Sequence, residues 1–140
     1  MTGDFDGDGT DDLCIFRPSN GTWYIWILAT GQYRITKFGI AGDKPVPADY
    51  DGDGQHDIAV YRPSTGVWYV LQSTNGSFMS AQFGTSTDIP QPGDYDGDSR
   101  ADMGIYRNGA WWILSYPFSS SVKVTNFGLA TDIPVTAPVN

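Results

Sequence analysis

The sequence predicts an all-β protein built from three copies of one four-stranded unit. Three observations carry this. The pattern Asp-x-Asp-Gly-Asp-x-x-x-Asp begins at Asp4, Asp49 and Asp94, a spacing of 45 residues. After each copy come short runs of β-branched and aromatic residues separated by Gly, Asn and Pro, the chemistry of strands and tight turns. No stretch repeats its apolar residues at helical period. All 16 acidic residues are Asp, which favours turns and caps over helix interiors.

The units run over about residues 1–48, 49–93 and 94–140, within one repeat domain. Each opens on its Asp-rich loop. The strands that follow are Leu13–Arg17, Ile58–Arg62 and Met103–Arg107. They are apolar on both faces, so layers are expected on each side. Their small residues, Cys14, Ala59 and Gly104, are expected to let a neighbouring layer approach. Turns follow at Pro18–Gly21, Pro63–Gly66 and a shortened Asn108–Gly109. The next strands carry Trp23-Tyr24-Ile25, Trp68-Tyr69-Val70 and Trp111-Trp112-Ile113. Second turns sit at Thr30-Gly31 and Asn75-Gly76. Each unit closes on Phe-Gly (Phe38, Phe83, Phe127) and then an Asp two residues before a Pro (Asp43, Asp88, Asp132). The tail Ile133–Pro138 breaks off where a fourth loop would begin, and Met1-Thr2-Gly3 has no signal-peptide character.

Four-stranded units of this length are the blades of β-propellers. The Asp-Tyr-Asp-Gly-Asp-Gly loop, the Ile-Ala-Val-Tyr strand, Trp-Tyr and the closing Phe-Gly resemble FG-GAP/VCBS repeats. Those repeats are the blades of integrin α-subunit propellers and of many secreted bacterial proteins. The resemblance covers nearly the whole chain. It implies a calcium-binding propeller module and an extracellular or cell-surface setting in the parent protein. Propellers have four to eight blades, so three leave a closure problem. The arrangement expected is a homodimer that completes a six-bladed ring. The alternatives are a piece of a larger propeller, or a three-fold β-trefoil.

The 140 residues carry a net charge of −8, and most of it belongs to the loops, which hold four Asp each at the first, third, fifth and ninth positions. Three bound Ca²⁺ ions would offset most of it. The eight Lys and Arg do not cluster, which excludes a nucleic-acid partner. No stretch is long and apolar enough for membrane insertion as a helix. Cys14 is the only cysteine, so no internal disulfide forms, and it reads as a buried strand residue.

A hard cation such as Ca²⁺ takes six to eight oxygens, and carboxylates at alternate positions of a tight loop converge on one point. The ligands expected in the first loop are Asp4, Asp6, Asp8, the carbonyl of Thr10, and Asp12. In the second they are Asp49, Asp51, Asp53, the carbonyl of Gln55, and Asp57. In the third they are Asp94, Asp96, Asp98, the carbonyl of Arg100, and Asp102. Gly9 and Gly54 take the sixth position, where positive φ is expected, and Ser99 replaces them in the third loop. That substitution predicts a strained or weaker third site. An EF-hand is excluded, because position 12 holds Ile15, Val60 and Ile105 rather than Glu. The metal's expected role is structural, since a protein-saturated ligand set leaves no open position for substrate.

The chain is not expected to be an enzyme. It has no Glu, and its one histidine, His56, lies inside a loop and reads as solvent-facing. Asp43, Asp88 and Asp132 recur with the unit and read as turn or cap residues. Arg17, Arg62 and Arg107 recur too and read as structural ion-pair or hydrogen-bonding groups. For recognition, Trp23, Trp68 and Trp111 recur at one position and, with the non-repeated Trp26, are the candidate ligand-binding aromatics. Tyr33, Tyr116 and Phe118 are further non-repeated aromatics. The function expected is a calcium-binding propeller module for recognition, lectin-like or adhesive, with a glycan or cell-surface protein as partner. The alternative is a structural or assembly segment with no ligand of its own.

Overall fold

The computed structural model describes residues 1–119 and 121–135. The end of the tail, Thr136-Ala137-Pro138, lies outside the described residues. Among the described residues there are strands and turns but no helix. The first sheet is formed in order by β1 (Thr2–Gly3), β2 (Asp12–Arg17), β3 (Thr22–Ile27) and β4 (Gln32–Lys37). The second holds β5 (Lys44–Pro45), β6 (Ile58–Arg62), β7 (Val67–Leu71) and β8 (Phe78–Gln82). The third holds β9 (Ile89–Pro90), β10 (Met103–Arg107), β11 (Ala110–Leu114) and β12 (Lys123–Asn126). All pairings are antiparallel between neighbours in the chain. No strand pairs with another unit's sheet among the described residues, so the shared barrel of a β-trefoil is not formed. The units are three separate blade-like sheets.

Strand alternation gives each blade two apolar faces. One face of the first blade, with Cys14, Trp23 and Ile25, packs on Val60, Ile58 and Tyr69 of the second. The matching face of the second, with Ala59, Tyr61, Trp68 and Val70, packs on Met103, Ile105 and Leu114 of the third. The middle blade is therefore covered on both sides. The outer face of the first blade is not, and there the expectation of burial on both faces of β2 fails: Leu13 and Ile15 are exposed.

The chain crosses between blades through Phe38–Asp43 and Phe83–Asp88. Each crossing is tied down at both ends. The Trp23 indole N–H donates to the Phe38 carbonyl at 2.8 Å, and Trp68 does the same to Phe83 at 2.8 Å. Asp43 accepts the Ile40 N–H and takes a bidentate contact from Arg62 at 2.8 and 2.9 Å. Asp88 accepts the Thr85 N–H and is gripped by Arg107, both contacts at 2.7 Å. The recurrent Asp is thus both the cap of the crossing and one half of an ion pair. The recurrent Arg of the following blade is the other half.

Two expectations are corrected here. Trp23 and Trp68 are wholly buried, so neither indole offers a face to a ligand. They anchor the crossings and fill the space between blades. Of the small residues, Cys14 and Ala59 lie on the faces packed against the next blade, whereas Gly104 makes room for its own blade. A Cβ on Gly104 would lie 2.2 Å from the Gln91 carbonyl oxygen and 2.9 Å from the Tyr95 ring. Tyr95 folds back over this position, its hydroxyl donating to the Gln91 carbonyl, and the Tyr50 hydroxyl donates in the same way to Val46.

Truncating Trp68 to Ala is expected to cost about 3–5 kcal/mol, because it empties an inter-blade core site. Truncating the half-exposed Trp26 is expected to cost less than about 1 kcal/mol. Denaturant titration of both variants checks this, and equal losses would contradict the packing role.

Candidate metal centres

Each Asp-rich loop connects the first and second strands of its blade. Its course is set by carboxylates accepting backbone N–H groups, which short side chains do well in turns. Asp4 accepts from Gly7 at 2.6 Å and Gly9 at 2.8 Å. Asp49 accepts from Gly52 at 2.6 Å and Gly54 at 2.8 Å. Asp94 accepts from Gly97 at 2.6 Å and Ser99 at 3.0 Å. Asp8, Asp53 and Asp98 each accept the N–H two residues on, from Thr10, Gln55 and Arg100, at 2.8 Å. The sixth position has positive φ in every loop: 87° at Gly9, 88° at Gly54 and 71° at Ser99. Ser99 is strained there, since an L side chain crowds the backbone in this region.

Three carboxylate clusters result, in each of which one oxygen from every member lies within 4.8 Å of the others. They are Asp4-Asp6-Asp8, Asp49-Asp51-Asp53 and Asp94-Asp96-Asp102. Asp12 and Asp57 do not join theirs. Both oxygens of Asp12 accept backbone N–H groups, from Phe5 and Leu28. Both oxygens of Asp57 do likewise, from Tyr50 and Ser73. These buried carboxylates tie the loop to the end of the third strand. Asp102 differs. Its Oδ2 accepts from Tyr95 at 2.8 Å, but its Oδ1 is buried with no hydrogen-bond partner. A buried carboxylate within 4.8 Å of two others, with the Ser115 hydroxyl near enough to lower its proton affinity, fits a cation. Asp98 stays outside the third cluster.

Other loop contacts had no sequence signal. Ser73 and Thr74 donate their hydroxyls to Asp53 at 3.0 and 2.9 Å, and Thr74 also donates to Asp51 at 2.7 Å. The corresponding residues are Leu28-Ala29 and Tyr116-Pro117, so nothing recurs to mark the position. His56 is half-buried rather than solvent-facing. It sits under Gly3, where a Cβ would lie 2.7 Å from its ring, and beside Phe5 at 5.8 Å between centroids.

The loops are also joined to one another. The His56 N–H donates to the Asp4 carbonyl, and the Ala101 N–H donates to the Asp49 carbonyl, both at 2.6 Å. The first Asp of a loop therefore shapes its own loop through its side chain and holds the next blade through its backbone. The loops border a cavity of about 320 Å³ that Asp4, Asp49, Asp94, His56 and Arg100 help to line.

Burial and backbone donors set the proton affinities of the loop carboxylates. Burial pushes Asp57 up from 3.8 to about 6, against the pull of the Ser73 and Tyr50 N–H groups. Burial also raises Asp49 and Asp102. Asp53 ends lower than usual, because donors from Gln55, Thr74 and Ser73 outweigh its burial.

The candidate recognition aromatics separate. Trp111 is half-buried, its N–H donating to the Phe127 carbonyl at 3.1 Å. Trp26 is exposed and lies beside Tyr33, ring centroids 6.1 Å apart. Tyr116 stacks under the Arg100 guanidinium at 4.3 Å, and Phe118 packs edge-on to Tyr50.

Comparison with known families decides what these units are. The model described as FG-GAP-like repeat matches residues 4–60 and again residues 49–105. The chain belongs to the FG-GAP-like repeat family. Each matched window runs from one Asp-rich loop into the strand after the next, so it spans one complete blade crossing. No curated protein and no solved structure matches the chain.

Two expectations follow from the loop geometry. Ser99→Gly should stabilise the protein by about 0.5–1 kcal/mol, the relieved strain exceeding the added chain entropy. Destabilisation in denaturant titration would contradict the strain. The second concerns pH. A carboxyl whose folded value lies above its unfolded value loses stability as pH rises between the two. For Asp57 that window runs from 3.8 to about 6. In chelator this contribution falls as pH rises, whereas metal binding needs the carboxylates ionised. The melting-temperature gap between calcium and chelator should therefore widen from pH 5 to pH 7. A gap independent of pH would contradict this account.

Proposed function

We propose that the chain is a calcium-ordered propeller segment whose role is assembly: three ions fix the loops, and the loops hold successive blades in register. The observation that carries this reading is the union of both jobs in one residue. Asp4 and Asp49 contribute carboxylates to a cluster and, through their carbonyls, accept the N–H of the next loop. A cation at the cluster would offset the repulsion of the gathered carboxylates and so stiffen the joint between blades. Asp4, Asp6 and Asp8 would hold the first ion, Asp49, Asp51 and Asp53 the second, and Asp94, Asp96 and Asp102 the third. The carbonyls of Thr10, Gln55 and Arg100 are further candidate oxygens. An extracellular or cell-surface setting suits such sites, since extracellular modules bind Ca²⁺ with Kd of about 10⁻⁴–10⁻³ M.

A recognition role, lectin-like or adhesive toward a glycan or a cell-surface protein, has narrower support. With Trp23 and Trp68 buried, it rests on Trp26 and Tyr33, an exposed aromatic pair on the outer face of the first blade. If that pair stacks on sugars, Trp26→Ala abolishes binding on a glycan array in calcium while leaving the fold intact. No binding by the unaltered chain excludes the glycan form of this reading.

The assembly reading predicts that calorimetric titration finds three calcium ions per chain. Calcium at 100 times Kd should add about 2.7 kcal/mol of stability per site. Asp49→Ala should remove one ion from the stoichiometry and lower the melting temperature in calcium. An unchanged melt in excess chelator would overturn the metal's structural role.

A further inference from the structure

The first and third blades present the two faces that meet twice between blades within the chain. On the first blade, Leu13, Ile15 and Trp26 occupy the register positions of Ile58, Val60 and Leu71 and of Met103, Ile105 and Leu114. In the second and third blades this face packs on the preceding blade, and Val60, Met103 and Ile105 are at most 1% exposed. In the first blade Leu13, Ile15 and Trp26 are 50%, 57% and 49% exposed. On the third blade, Trp111 and Ile113 with Thr125 and Phe127 border an open apolar hollow. Trp68 and Val70, at the equivalent positions in the second blade, are fully covered by the third.

The polar groups tell the same story. Arg62 stacks on Tyr69 and Arg107 on Trp112, and each also grips the Asp of the preceding crossing. Arg17 stacks on Tyr24 at 4.5 Å in the same way. It has no carboxylate partner among the described residues. Asp132 accepts the Leu129 N–H, as Asp43 accepts from Ile40, yet no Arg reaches it among the described residues. The Asp94 carbonyl, the counterpart of Asp4 and Asp49, likewise accepts no loop N–H among the described residues. The residues after Asp132 extend the correspondence. Lys44-Pro45 and Ile89-Pro90 pair with the upper part of β6 and β10. Ile133-Pro134 repeats this step after Asp132, and the matching edge of β2 at Ile15-Phe16 has no strand beside it among the described residues.

We infer that a second copy of this chain covers both ends. The third blade of one copy packs on the first blade of the other, Asp132 pairs with the partner copy's Arg17, and Ile133-Pro134 pairs with the edge of its β2 at Ile15-Phe16. This inference rests on the assembly reading above and supplies its partner. The interface is head-to-tail, and two copies bring six blades, within the four to eight at which propeller rings close. The apolar faces supply the attraction. The buried ion pair sets the register, because a like-charge mismatch at this point opposes docking.

The test is solution mass by light scattering in millimolar calcium. The chain should run at twice its 15.3 kDa mass. Arg17→Asp alone and Asp132→Arg alone should each weaken dimerisation at least tenfold. Mixing the two variants should restore it, since both joints are then matched in charge. The double variant in one chain should also dimerise. Both residues are exposed in the single chain, so each variant should keep its calcium-dependent melt. That melt reports separately on the assembly reading's metal sites. A monomer at every concentration, a mass above two chains, or single variants that dimerise like the parent chain would each overturn the inference.

Discussion

The structure depends on one short device, the first aspartate of each loop. Its carboxylate accepts at least two N–H groups of its own loop, and in the first two loops its carbonyl accepts one from the next loop. The first contacts curl the loop so that the following carboxylates come together. The last sets the distance between neighbouring blades. Everything apolar between the blades is arranged around that spacing. The buried indoles Trp23 and Trp68 fill the gap it leaves, and the crossings Phe38–Asp43 and Phe83–Asp88 are cut to its length. A blade face of β-branched and aromatic residues would pack on many partners. The loop-to-loop hydrogen bond and the Asp–Arg clamp select one register.

The same device creates its own difficulty. Carboxylates within 4.8 Å of one another repel, and burial adds a desolvation cost that appears as the raised proton affinity of Asp57 and Asp49. The protein meets part of this cost itself. Backbone N–H groups satisfy both oxygens of Asp12 and Asp57, and hydroxyls of Ser73 and Thr74 cover the second loop. The third loop receives less of this help. Asp102 keeps an unpartnered oxygen, and Ser99 stands where the backbone favours glycine. The third loop is therefore the one whose backbone is the most strained.

Much of this was legible in the sequence because each signal is local and occurs three times. Turn residues, alternating strands and the spacing of Asp place the sheets and the loops. The sixth-position φ follows from Gly9 and Gly54, and the strain at Ser99 from its departure from them. What escaped was the choice between roles that one residue type can fill. Asp at the ninth position can be a metal ligand or a hydrogen-bond strut, and nothing in the sequence separates Asp12 from Asp102. A recurrent Trp serves as a packing anchor or a sugar platform with equal economy of sequence, and burial decided for Trp23 and Trp68. The crossing clamps were half visible. Asp43 and Arg62 each recur, but their contact spans the boundary at which the repeat is counted. His56 offered no signal, since its place under Gly3 depends on the spacing between two blades.

The most direct test of the central claim is amide hydrogen exchange at His56 and Ala101, whose N–H groups join the loops, measured in calcium and in chelator. The account predicts strong protection in calcium and at least tenfold faster exchange at both amides once the ions are removed, with β6 and β7 losing less. Equal protection at the two amides with and without calcium would contradict it, because the joint between blades would then stand without the metal.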